Sequence, residues 1–240
     1  MATVKEINHD SSTVLANFYT DTIIDADGRA TVTVGSALNG STNGVNLDYD
    51  TAGTSNVILV ETFAALTGND LRLRFRIDWS NVSVIPANER FFIDLEDSVG
   101  NDIFRVEIAS DGIGGFVEIF AQYWSDSSAG LVSIGANQAI SDNSELCIGL
   151  RAIKETADTN ADGEVELFVS GVSVLSISNA DNFNRFGNQV ARVLVRWNNA
   201  SGGVGDIYYD EWILDNDNTA DLGCAGLFSG YDLIPGGGQP

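Results

Sequence analysis

The 240-residue chain is poor in several residue types: one histidine, one methionine, two cysteines, three prolines, and 12 basic residues against 34 acidic ones, for a formal charge of −22. Each scarcity narrows what the chain can be. So acidic a molecule does not bind a nucleic-acid backbone through general electrostatics. The lone histidine, His9, stands near the start and leaves a Ser–His–Asp triad without support. Cys147 and Cys224 are too few for a disulfide framework, and spacing leaves open whether they pair. No window approaches the roughly 20 apolar residues of a membrane span, and there is no P-loop or G-x-G-x-x-G signature. The opening ATVKEINHDSSTVLANFY lacks an apolar leader core, so the expectation is a soluble product or a mature form cut elsewhere. No segment carries a sustained 3.6-residue apolar stripe, which leaves little room for helix.

What is present is short period-2 alternation punctuated by 25 glycines. Residues 71–79 set Leu71, Leu73, Phe75, Ile77 and Trp79 on one face and Arg72, Arg74, Arg76 and Asp78 on the other. Residues 90–96, 103–109, 116–124, 189–197 and 205–214 alternate similarly, and 14–19, 30–34, 45–49 and 56–63 read as shorter strands, the last two as a pair around Thr51–Thr54. About a dozen strands at this spacing predict an all-β, two-sheet antiparallel sandwich. One domain over 14–216 is expected, with a lead at 1–13 and a Gly-rich tail at 217–240.

The organising stretch is Glu145 to Ser178, read as two strands joined by the acidic turn TADTNADG, then a tight turn at Ser170-Gly171 and a third strand. Within it Asp158, Asn160, Asp162 and Glu164 place oxygens at every second position around Gly163, as the first half of an EF-hand-type calcium loop does. The twelfth position is Val169, so a bidentate acid is missing. Both a structural calcium and an Asp/Asn/Gly turn without an ion fit the pattern. The Arg-rich strands read first as cross-strand Arg–carboxylate pairs, with a face that grips an acidic glycan as the rival reading.

Three pieces, RLRFRIDW, ELFVSGVSV and GDIYYDEWIL, together resemble the concanavalin A-like (LamG-type) jelly-roll superfamily over roughly 18–214. The resemblance implies a sandwich with one concave sheet, and a calcium held against the last-strand aspartate, here Asp210. On such a concave face the glycan-gripping reading makes Arg72, Arg74 and Arg76, with Phe92, Tyr123 and Trp124 for stacking, the candidate ligand residues. The glucanase branch carries Glu-x-Asp-x-(x)-Glu on one strand, which FIDLEDS does not match. A lyase of this fold would want a Gln-x-His that the chain lacks.

The expectation is therefore a non-enzymatic structural or adhesive module on a virion surface, of the decoration or fibre type found in phages. Its expected partners are copies of itself, capsid or tail proteins, and glycans. The alternative is a secreted, extracellular carbohydrate-binding module or weak glycoside hydrolase.

Overall fold

The computed structural model describes residues 4–38, 40–49, 56–84, 89–110, 116–141, 144–187, 189–198 and 203–216. Its strands, in chain order, are β1 (Val4–Ile7), β2 (Thr22–Ile24), β3 (Ala30–Thr33), β4 (Gly44–Asp48), β5 (Val57–Thr62), β6 (Asp70–Asp78), β7 (Val82–Val84), β8 (Arg90–Glu96) and β9 (Asp102–Ala109). They continue with β10 (Phe116–Ser125), β11 (Gly130–Ser133), β12 (Gln138–Ser141), β13 (Leu146–Ile153), β14 (Gly163–Val169), β15 (Val172–Ala180), β16 (Arg192–Asn198) and β17 (Val204–Asp215). One short helix, α1 (Phe183–Gly187), stands between β15 and β16.

The strands form the expected antiparallel sandwich. The first sheet runs β15-β14-β13-β6-β17-β4-β3, with β1 and β7 also on β17; the second runs β11-β10-β9-β8-β16-β5-β2, with β12 also on β10. Alternation decides the layering, because every second residue of each strand turns inward. Leu73, Phe75 and Ile77 from β6 meet Phe91 and Ile93 from β8 across the middle, and Trp79, Trp197 and Trp212 are fully enclosed. Burying an aliphatic side chain of this kind contributes about 1.5–3 kcal/mol, so the core is the main stabilising term.

The organising stretch folds as expected, with β13, β14 and β15 as consecutive neighbours. Ser170 (φ 50°) and Gly171 (φ 80°) both take the left-handed conformation that a two-residue hairpin turn requires.

Three expectations are corrected. Residues 14–19 are not a strand: Leu15–Asn17 form a 3₁₀ turn, closed by Phe18 N–H donating to the Leu15 carbonyl, which swings Phe18 and Tyr19 into the core. The strands β4 and β5 do not pair but enter opposite sheets; the Thr51–Thr54 turn between them lies outside the described residues. Within the lead at 1–13, Val4–Ile7 belong to the sandwich, since they pair with Trp212–Asp215 of β17. The tail at 217–240, and Cys224 with it, lies outside the described residues.

β17 accommodates all these neighbours through a bulge between Asp210 and Trp212, where Glu211 sits at φ 45°. The extra residue lets Tyr209 and Trp212 both pack into the core while Glu211 reaches the outward arginines Arg74 and Arg76.

Candidate functional site

The expected ligand residues do not form one surface. Arg72, Arg74 and Arg76 stand on the outward side of the first sheet, where Arg74 and Arg76 both reach Glu211 (2.9 and 3.2 Å), Arg76 also reaches Glu145 (2.9 Å), and Arg72 lies 3.4 Å from Asp70. Phe92 and Trp124 stand on the outward side of the second sheet, with the whole core between them and these arginines. Tyr123 has the opposite parity to Trp124 and packs into the core. The reason is topological: β6 pairs with β13 and β17, whereas β8 pairs with β9 and β16.

The outward side of the second sheet has the more concentrated chemistry. Asp94 lies opposite Arg105 in the ladder and takes its guanidinium, and it also takes Arg196 from the other side at 3.3 Å. Glu96 lies opposite Arg192, with 2.9 Å between Oε2 and Nη1. Gly100, at φ 86° in the turn after β8, leaves room for that guanidinium, since a Cβ there would collide with Arg192 Nη1. Glu107 takes Arg90 at 2.6 Å, and Asp102 lies 3.4 Å from Arg105. Carboxylate oxygens of Asp94, Glu96 and Asp102 all fall within 4.8 Å of one another.

Two aromatics of this face, Phe92 and Trp124, already carry guanidinium groups. Arg196 and Arg105 sit over the Phe92 ring at 4.4 and 5.2 Å, leaving it 5% exposed, and Arg185 from α1 sits over Trp124 at 4.0 Å. Stacking a sugar on either ring requires displacing a guanidinium, so Phe92 and Trp124 serve first as platforms for arginines.

Burial dominates the acids' electrostatics. Removal from water pushes Glu96 up to about 7, the Arg192 charge opposing it. Asp94 is also raised by burial, against the pull of Arg105 and Arg196, and Glu107 is raised for the same reason against Arg90. A carboxyl group half-protonated near neutrality, held within reach of a second carboxyl, can give or take a proton.

The oxygen-rich turn is arranged differently from a metal loop. Asp162 accepts from Thr156 N–H and Oγ1–H at 2.8 and 2.7 Å, and Asn160 Nδ2 donates to Thr156 Oγ1. Glu164 lies 3.7 Å from Arg151, and Asp158 accepts from Asn184 Nδ2. Among the described residues, Asp158 is the one of the four that joins a carboxylate group, with Asp126 and Glu155 within 4.8 Å. Asp210 is fully buried and accepts from His9, Ser41 Oγ, Leu38 N–H and Glu211 N–H. The order of acids along the chain did not reveal Asn184 as the partner of Asp158, or His9, Leu38 and Ser41 as partners of Asp210, because these lie on other segments.

No protein-family model matches the chain, and no curated protein matches it in sequence. Among solved structures it is similar to an alginate lyase, Aly36B, as a variant in complex with alginate tetrasaccharide (13% identity over 88% of this chain and 96% of that one, TM-score 0.54). It is also similar to a carbohydrate esterase of the Shiga toxin-encoding bacteriophage phi24B (17%, 90% and 100%, TM-score 0.55). A third is an endo-1,3-beta-glucanase from Streptomyces sioyaensis (11%, 78% of each chain, TM-score 0.50). At these identities the likeness is one of fold, a two-sheet antiparallel sandwich.

Proposed function

We propose that the chain is a non-enzymatic virion-surface module, of decoration or fibre type, that contacts glycans through the outward side of the second sheet. The observation that carries this reading is the lattice of Arg105, Arg192, Arg196 and Arg90 with Asp94, Glu96 and Glu107. Each acid is committed to a cation, so the face offers a fixed pattern of donors and acceptors suited to sugar hydroxyls and carboxylates. Similar folds carrying an alginate tetrasaccharide in one case and a phage-encoded carbohydrate esterase in another support the glycan and virion parts of the reading. The test is binding to arrayed neutral and uronate-bearing glycans. Arg196→Ala should weaken any binding at least about 10-fold, while Arg72→Ala, on the far side, should leave it unchanged. Absence of binding across both glycan classes would remove the glycan part, and recovery of the protein only as a free secreted monomer would remove the virion part.

One observation favours a second reading, a weak glycoside hydrolase. Glu96, raised to about 7, faces Asp94 with oxygens inside 4.8 Å, close to the roughly 5 Å separation of a retaining pair. Release of reducing sugar that Glu96→Gln abolishes would establish it.

A further inference from the structure

The fold collects two uncharged stretches on one flank. Residues 167–180 (LFVSGVSVLSISNA) and 127–141 (SSAGLVSIGANQAIS) hold no Asp, Glu, Lys or Arg, in a chain where 19% of residues are charged. The first contains β15, the end strand of the first sheet; the second contains β11 and β12, which close the second sheet beside β10. The two edges lie together. Leu175 packs so near Gly135 that a Cβ there would stand 2.9 Å from its Cδ2, and Asp126 N–H donates to the Asp181 carbonyl just past β15.

An end strand presents a row of backbone donors and acceptors, which proteins ordinarily protect with charge or proline. β15 has neither over nine residues and, among the described strands, pairs with β14 alone. The other edges differ: β2 is three residues long and lies between Asp21 and Asp25, β3 has four residues, and β1 carries Lys5 and Glu6. Copies of a molecule at −22 repel one another, so an edge free of carboxylates is where two of them can meet.

We infer that β15, flanked by β11 and β12, is the contact surface for a second copy of this chain, joined antiparallel about Ser176. A two-fold axis there is self-complementary. Ser176 meets its own counterpart, Leu175 meets Ile177 of the second copy, and Asp181 falls opposite the neutral Gly171 rather than another acid. Bulges on the β14–β15 ladder, at Gly163/Val165 and Leu167/Phe168, confine regular pairing to the stretch around Ser176. They thereby fix one register, and the contact closes at two copies. This inference is independent of the glycan reading, which concerns the outward face of the second sheet.

The test is sedimentation velocity on the full chain. A dimer is expected at about 100 µM, tightening as salt rises from about 50 to about 500 mM because the surface charge is screened. Ser176→Glu with Ser178→Glu should raise the dissociation constant about 100-fold or more, since like charges then face each other across the axis. Thr31→Glu, on the opposite edge, should leave it unchanged. Circular dichroism checks that the double variant is folded. Should it not be, Ser176→Cys decides: oxidation should yield a covalent dimer above the wild-type background, and Thr31→Cys should not. A wild-type monomer at about 100 µM, a dimer indifferent to the folded glutamate variant, or no crosslink through Ser176→Cys would each overturn the inference.

Discussion

His9 Nδ1 lies 2.9 Å from Asp210 Oδ1, and both side chains are closed to solvent. The bond joins residues 201 positions apart and pins the segment after β1 to the middle of β17, with Phe18 and Tyr209 packed edge-on against the imidazole. Removing one partner of a buried polar pair leaves the other short of a bond it cannot recover from water. We expect His9→Ala to lower unfolding free energy by about 2–4 kcal/mol in urea denaturation. A loss under about 0.5 kcal/mol would mean the pair is incidental.

Glu96 gives stability a definite pH dependence. Its carboxyl is pushed up to about 7 in the folded chain, chiefly by burial, against the usual 4.5 when unfolded. The folded state therefore holds the proton more tightly, and this contribution is complete below about pH 4.5 and lost as pH rises through about 7. Glu96→Gln, neutral throughout, should gain on the wild type by about 2–3 kcal/mol between pH 4 and pH 8. Gly100→Ala, which crowds Arg192 off the carboxylate, should move the Glu96 midpoint higher still. Parallel stability profiles for Glu96→Gln and wild type would contradict the assignment.

The arginines of the first sheet should prove unequal. Arg76 is 2% exposed and bridges Glu145 and Glu211, so Arg76→Ala removes a buried cation from between two half-buried acids, leaving Glu211 to Arg74, and should cost about 2–4 kcal/mol. Arg151 is more open and its two acids lie at 3.7 Å, so Arg151→Ala should cost under about 0.5 kcal/mol. Thermal or chemical denaturation of the two variants side by side reads the difference.

The turn at 156–164 provides a test with calcium. Asn160 and Asp162 are both bonded to Thr156, and Glu164 lies beside Arg151, so cation binding would have to break these bonds. We expect melting temperatures in excess calcium and in excess chelator to agree within about 1 °C. A larger rise with calcium, abolished by Asp158→Ala, would restore the metal loop.

Much of this architecture can be read from residue order. The alternation of Leu73, Phe75 and Ile77 against Arg72, Arg74 and Arg76 gave the correct faces of β6, and the 145–178 stretch gave three consecutive strands, because both depend on local periodicity. Sheet membership does not. Nothing local sends Arg74 and Phe92 to opposite sides of the molecule, since that follows from β16 pairing with β5 and β8 across long sequence separations. Cross-strand Arg–carboxylate pairing was legible from the alternation, but which arginine meets which acid, Arg105 with Asp94 and Arg192 with Glu96, was not, because it depends on the same long-range register. One missed feature did leave a trace: the inward residues of β17 are Ile207 and Tyr209, then Trp212 and Leu214, a switch from odd to even that marks the bulge at Glu211. The role of His9 left none, because an isolated polar segment does not announce which strand it will join.

The pairing of β1 with β17 also bears on mechanics. Val4 lies opposite Asp215, so the two ends of the described chain stand side by side. A pull applied across those ends would peel β1 away one residue pair at a time, the weak direction for an antiparallel ladder, instead of sliding it as a unit. Peeling would then come to His9 and Asp210, whose bond would act as the catch that keeps the rest of the sandwich intact under load.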